Sequence, residues 1–244
     1  MLLTLQLESD QPSFEIPVNY NHLVQAALYR NLRPEFASFL HNEGFKINNR
    51  RFALFVFSRL MGKSEYDPRA KTLRFYGPVN LGIASPIETF IQDTAQLLMK
   101  DGFKIGAHML RVSALELQSI QVEQSEILVE TLSPVVAYST LLRPDGRKYT
   151  AYFSPNKRDF ARIVAENAEK KARLIYGGNA SFSPFQIDLV GTAQKHIVTY
   201  KNTIIEGYSG RFVIKGDKTL LLAVLEAGLG SKNSAGFGMI RRVE

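Results

Sequence analysis

With 244 residues, 45% of them hydrophobic and 22% charged, the chain has the composition of a folded protein rather than a disordered one, and it can bury one large core or two small ones. The absence of cysteine excludes disulfides, thiolate metal sites and a cysteine nucleophile. Thirty Lys and Arg against 23 Asp and Glu leave a net charge of +7, which favours a polyanionic partner, because basic proteins gain affinity by releasing the counterions of nucleic acid.

The start, Met1-Leu2-Leu3-Thr4-Leu5-Gln6-Leu7-Glu8, alternates like a strand and lacks the basic region and cleavage site of a signal peptide. No apolar run reaches the length of a membrane span, and a cytoplasmic protein is expected. Apolar residues at helical spacing predict a helix over Asn21 to Leu32, and Pro34 opens a second, short one that stops at Gly44. Phe52 to Ser58 reads as a buried strand and Thr72 to Tyr76 as another. Pro86 then opens a helix, and Met109 to Leu117 alternates as a strand.

The polar stretch Gln121 to Ser125 reads as a seam between two halves, 1–122 and 123–244. Beyond it, Ile127 to Leu132 and Val135 to Leu142 predict strands, and Arg143-Pro144-Asp145-Gly146 a turn. Tyr149 to Phe153 returns, and Pro155 opens a long helix ended by Gly177-Gly178. Phe185 to Val190, Ile197 to Tyr200 and Phe212 to Ile214 are strands, and a buried helix capped by Asp217 runs to Ala227. Periodicity alone gives an α+β class.

The chain ends on Gly228-Leu229-Gly230-Ser231-Lys232-Asn233-Ser234-Ala235-Gly236-Phe237-Gly238 and a short strand. A P-loop or dinucleotide loop leads from a strand into a helix N-terminus, whose amides and dipole hold phosphate. Here the loop leaves a helix C-terminus, where the dipole has the wrong sign for an anion. An ATPase or dehydrogenase is therefore not expected. Two Gly-apolar-Gly triplets around five residues at the extreme C-terminus resemble the signature loop of the CRISPR-associated repeat-RNA-processing endoribonucleases of the RAMP superfamily, the sixth of the Cas families. Thr131-Leu132-Ser133-Pro134-Val135-Val136 is similar to the start of that family's second fold. The resemblance implies two tandem ferredoxin-like (RRM/RAMP-type) folds, and the element order agrees with it.

The chemistry such an enzyme needs can be sought in the residues themselves. The four histidines, His22, His41, His108 and His196, have no helical metal-ligand spacing, and no nucleophile elbow is present. No metal and no cofactor is expected. RNA supplies its own nucleophile, so a protein need only align the 2′-hydroxyl, protonate the leaving 5′-oxygen and offset charge on the phosphorane. His41, near a helix C-terminus that favours imidazolium, is the candidate acid. Tyr29, expected on the side of its helix opposite the apolar stripe, could align or deprotonate the 2′-hydroxyl. His22 or Asn21 reads as a helix cap.

The resembled family carries a tyrosine on the first helix, a histidine after it and a cation soon after. Leu28-Tyr29 and Phe39-Leu40-His41 match the first two positions, and either Lys46 or Arg51 the third. RNA-binding candidates are Arg143, Arg147 and Lys148 on the hairpin, and Lys157, Arg158 and Arg162 on the next helix. In and around the loop they are Gly228, Gly230, Lys232, Asn233, Ser234, Gly236, Gly238 and Arg241, with Tyr149 and Phe237 as stacking surfaces. The expected partner is CRISPR repeat RNA, with a CRISPR effector complex as a further one, bound by a monomer or homodimer. A non-cleaving repeat-RNA-binding subunit is the alternative.

Overall fold

The alternation at the start becomes β1 (Leu2–Ser9), whose Leu3, Leu5 and Leu7 are fully buried. In this computed structural model, which describes residues 1–243, β1 lies inside a seven-stranded antiparallel sheet. Glu244, the end of the expected second half, lies outside the described residues. After β1 come β2 (Ser13–Pro17), α1 (Asn21–Arg30), α2 (Pro34–Asn42), β3 (Phe45–Ile47), β4 (Arg50–Phe52), β5 (Val56–Phe57) and β6 (Met61–Asp67). They are followed by β7 (Thr72–Ala84), α3 (Glu88–Asp101), β8 (Phe103–Ile105) and β9 (His108–Gln118). β7 and β9 flank β1, and β5 and β6 pair with the far side of β7. With α1 and α3 as the crossing helices, this is a ferredoxin-like sheet with β2 and β8 added.

The order recurs after the irregular stretch 119–125. β10 (Glu126–Thr131) precedes the hairpin of β11 (Tyr138–Leu142) and β12 (Lys148–Tyr152), then α4 (Arg158–Tyr176), β13 (Gln186–Tyr200), β14 (Thr203–Lys215), α5 (Lys218–Ala227) and β15 (Ile240–Arg242). The sheet order β13-β14-β10-β15 again sets the first strand between the third and the last. Two tandem ferredoxin-like folds result, each with its own apolar core.

Several expectations are corrected. Phe52 to Ser58 is not one strand: Phe52 closes the β3–β4 hairpin, only Val56 and Phe57 pair with β7, and between them Leu54 takes a φ of 52°. Apolar density reports burial, which Leu54 to Phe57 all achieve at 3% exposure or less, and does not report strand pairing. β7 is much longer than Thr72–Tyr76, because Gly77-Pro78 falls where its partners change from β2 to β1, outside both ladders. The strands read at 185–190 and 197–200 are one, β13, interrupted by a bulge between Val190 and Gln194. Asp217 does stand at the N-cap of α5, yet its carboxylate accepts hydrogen bonds from the N and Oγ of Ser183 instead of a helix amide.

Candidate active site

α1 buries Val24, Ala27 and Leu28, and Tyr29 follows on the same turn. Its ring is half-buried and stands edge-on to Phe55, with centroids 5.9 Å apart. The expectation of a residue opposite the apolar stripe is thus corrected: Tyr29 packs against the apolar core of the first half. Burial is the main reason the Tyr29 phenol is pushed up to about 12, and the nearby phenol of Tyr200 adds to it.

His41 lies in the last turn of α2 and is exposed. Its ring meets that of Tyr29 edge to face at 6.4 Å between centroids. His41 Nδ1 lies 2.9 Å from Asn42 Oδ1, while Asn42 Nδ2 donates to Ser38 Oγ at 3.1 Å. With the amide so turned, Asn42 Oδ1 is an acceptor, Nδ1 carries a hydrogen, and Nε2 is left for substrate. Just past the end of α2 stands Gly44, whose φ is +59° and where a Cβ would sit 2.8 Å from the Phe52 carbonyl oxygen. A glycine here lets the β3–β4 hairpin fold back onto the end of α2.

That hairpin carries both candidate cations, Lys46 and Arg51, as direct cross-strand partners. Arg51 Nη1 donates to the Asn42 carbonyl at 2.6 Å and lines a cleft of about 800 Å³ together with Tyr29, His41, Tyr200, Lys201 and Ser234. Lys46 is exposed and outside that lining. A second cavity of about 550 Å³ shares Arg51, Phe52, Ala53 and Ser234 with the first and continues past Arg50, Tyr138, Ser231 and Lys232.

The Gly-rich loop forms the wall between the two halves. Asn21 Nδ2 donates to the carbonyls of Ala235 and Gly236, and Gln25 Nε2 to that of Ser234 at 2.7 Å. Neither Asn21 nor His22 therefore caps α1: Tyr20 occupies that position, and His22 Nδ1 contacts the Asn19 carbonyl. From the other half, the fully buried Lys171 of α4 donates Nζ to the carbonyls of Gly228 at 2.6 Å and Gly230 at 2.9 Å. Burial pushes its ammonium down to about 7. Asn233 closes the loop on itself through Leu229 O and Phe237 O.

Gly228, Gly230, Asn233, Gly236, Phe237 and Gly238 are consequently buried, and what the loop turns outward is Ser231, Lys232 and Ser234. The amides of Leu229, Ser231, Gly236 and Gly238 bond to protein carbonyls, so they are not a free cradle for phosphate. Phe237 has no exposure and offers no stacking surface. Lys232 sets its Nζ 4.9 Å from the centre of the Tyr138 ring.

Away from the loop, Arg143 covers Tyr149 at 5.6 Å, Arg147 pairs with Asp145, and Lys148 is exposed. Lys157 and Arg158 project at the start of α4, whereas Arg162 is held by Asp159 and Glu166, and Arg241 by Glu130. Sequence reasoning missed Gln25, Lys171, Tyr200 and Lys201. For Lys171 a signal existed: it falls on the helical stripe of Ile163, Val164, Asn167, Ala168 and Ala172, where a lysine must find acceptors inside the protein. Among the described residues, no three His, Cys, Asp or Glu side chains gather to hold a metal, and no helix is long and apolar enough to cross a membrane.

Comparison with known proteins agrees with this architecture. The chain is 25% identical to the CRISPR-associated endoribonuclease Cas6 1 of Methanocaldococcus jannaschii, covering all of this chain and 93% of that one. It is 23% identical to the CRISPR-associated endoribonuclease Cas6 of Pyrococcus furiosus, covering 98% and 88%. A solved CRISPR-associated protein Cas6 superposes with a TM-score of 0.81 at 25% identity, over 100% of this chain and 99% of the other. Because the family model for the C-terminal part of CRISPR-associated protein Cas6 matches residues 117–242, more than half of its length, the chain belongs to the Cas6 family of CRISPR-associated endoribonucleases.

Proposed function

We propose that the chain cuts CRISPR repeat RNA into guide units without a metal ion, leaving a 2′,3′-cyclic phosphate and a 5′-hydroxyl. The observation that carries this reading is the meeting of Tyr29 and His41, from separate helices, in a cleft that also holds Arg51. The 2′-oxygen attacks phosphorus and its proton passes to solvent. The P–O5′ bond breaks, and His41 Nε2 gives the departing oxygen its proton. Tyr29, neutral at physiological pH because its phenol titrates near 12, aligns the ribose and does not deprotonate it. Arg51 offsets charge on the phosphorane. The first half, 1–122, supplies these groups. The second, 123–244, grips the repeat through Lys232, Lys157, Arg158 and the β11–β12 hairpin.

The test is incubation of 5′-labelled repeat RNA from the same genome in EDTA, with analysis of the product ends. Cleavage to cyclic phosphate that His41→Ala abolishes, with RNA affinity kept, is the expected result. A requirement for divalent metal would overturn the mechanism. Turnover-free binding by the native protein would leave only the repeat-RNA-binding subunit.

A further inference from the structure

The tip of the β13–β14 hairpin is a two-residue turn, Lys201-Asn202, between the paired residues Tyr200 and Thr203. Both central residues have positive φ, 45° and 65°. Such turns favour Asn, Asp and Gly, because an ordinary L side chain meets its own backbone there. A lysine in the first position is against local preference, and residues held in a disfavoured conformation concentrate where the chain has a use for them.

The tip is also fixed in place. Tyr200 Oη donates to Gln25 Oε1 on α1. Thr199 N donates to Asn19 Oδ1 at 3.0 Å, and Tyr152 Oη donates to the Ile204 carbonyl at 2.9 Å. The first two ties hold a hairpin of the second half against the first and the third braces it within its own half, with Tyr200 and Lys201 on the wall of the cleft that contains Tyr29 and His41. Lys201 is exposed, its Nζ sits 5.7 Å from the Tyr200 ring centre, and no carboxylate pairs with it among the described residues. An unpaired cation on the wall of an open cleft is a phosphate contact in search of its anion.

We infer that Lys201 binds a backbone phosphate of the RNA next to the reacting one, so that the cleft is completed by both halves of the chain. The inference rests on the reading of this cleft as an RNA-cleaving site, but its binding prediction can be measured separately from turnover.

The test compares native protein with Lys201→Asn and Lys201→Arg, using labelled repeat RNA at several KCl concentrations. Asn suits the turn better than Lys, so Lys201→Asn should melt no lower than native protein, and a loss of function cannot be assigned to misfolding. It is expected to bind about tenfold more weakly at low salt and to lose about 0.7 from the slope of log affinity against log salt, one single-strand phosphate contact. Cleavage should fall at least as far, and Lys201→Arg should restore both. Native affinity and slope in Lys201→Asn would overturn the inference. If native protein binds but does not cut while Lys201→Asn still flattens the slope, the contact stands and the cleavage reading falls.

Discussion

His41 Nδ1 faces Asn42 Oδ1 at 2.9 Å, a contact between sequence neighbours at the very end of α2. It fixes a hydrogen on Nδ1, so that Nε2, the other ring nitrogen, accepts in the neutral ring and donates, as an acid must, in the imidazolium. Asn42 also joins this ring to the cation, since its carbonyl accepts from Arg51. Asn42→Ala removes the orienting acceptor and leaves the backbone carbonyl in place. Single-turnover cleavage is expected to fall by about tenfold, the worth of one oriented hydrogen bond, while RNA affinity and melting temperature stay at native values. A matched loss of affinity would show that Asn42 acts in binding and not on His41.

Tyr29 provides a second separation of roles. With its phenol held near 12, a base mechanism would give cleavage that climbs with pH into the alkaline range, whereas an aligning hydroxyl contributes equally from neutral pH upward until it ionises. Tyr29→Phe keeps the packing on Phe55 and deletes only the hydroxyl. The expected outcome is a loss of roughly 10²-fold in the cleavage step with the shape of the pH profile unchanged between 6 and 9. A profile that loses an ascending limb in the variant would make Tyr29 the base.

How much of this was legible in the sequence depends on what each residue answers to. β1, α1, α2 and α4 follow from local periodicity, and so does the proximity of His41 to a helix end. Long-range pairing left little local mark: β6 is a largely polar, exposed strand that exists because β7 offers it an edge, and β2 is five residues that bury only Phe14 and Ile16. The candidate site divides in the same way. Tyr29 and His41 were candidates from their places on the first two helices and from the family resemblance. Tyr200 and Lys201, some 170 positions later, reach the cleft only through the hairpin that Gln25 and Asn19 hold. The glycines of the loop were conspicuous, yet sequence alone could not tell close packing from phosphate contact, and the structure buries them.

Gly236 puts that packing role to the test. A Cβ there would stand 2.5 Å from the Phe57 ring and 2.7 Å from Asn21 Nδ2, at a φ of +84°. Gly236→Ala should therefore destabilise the fold by about 1–3 kcal/mol, read from urea unfolding, and loosen the loop from α1. Ser234→Ala, on the outward face of the same loop, should leave stability within about 0.5 kcal/mol of native. Equal stability of both variants would mean that the loop is not a packing element.

Lys171 gives the fold a pH dependence of defined sign. Burial depresses its ammonium from 10.5 to about 7, so between those values the unfolded chain holds a proton that the folded chain does not. Stability must then rise with pH across this window, and below about pH 7 the full cost of burying the cation is felt. The neutral amine still has two hydrogens, enough for the carbonyls of both Gly228 and Gly230. Lys171→Met keeps much of the volume, abolishes the titration and leaves those two carbonyls without a donor. Urea unfolding at pH 6 and at pH 9 should show the variant's deficit relative to native protein widening at the higher pH, by an amount on the order of a few kcal/mol. A deficit independent of pH would mean that Lys171 keeps its proton inside the fold, and that the loop is held by a buried cation rather than by a neutral amine.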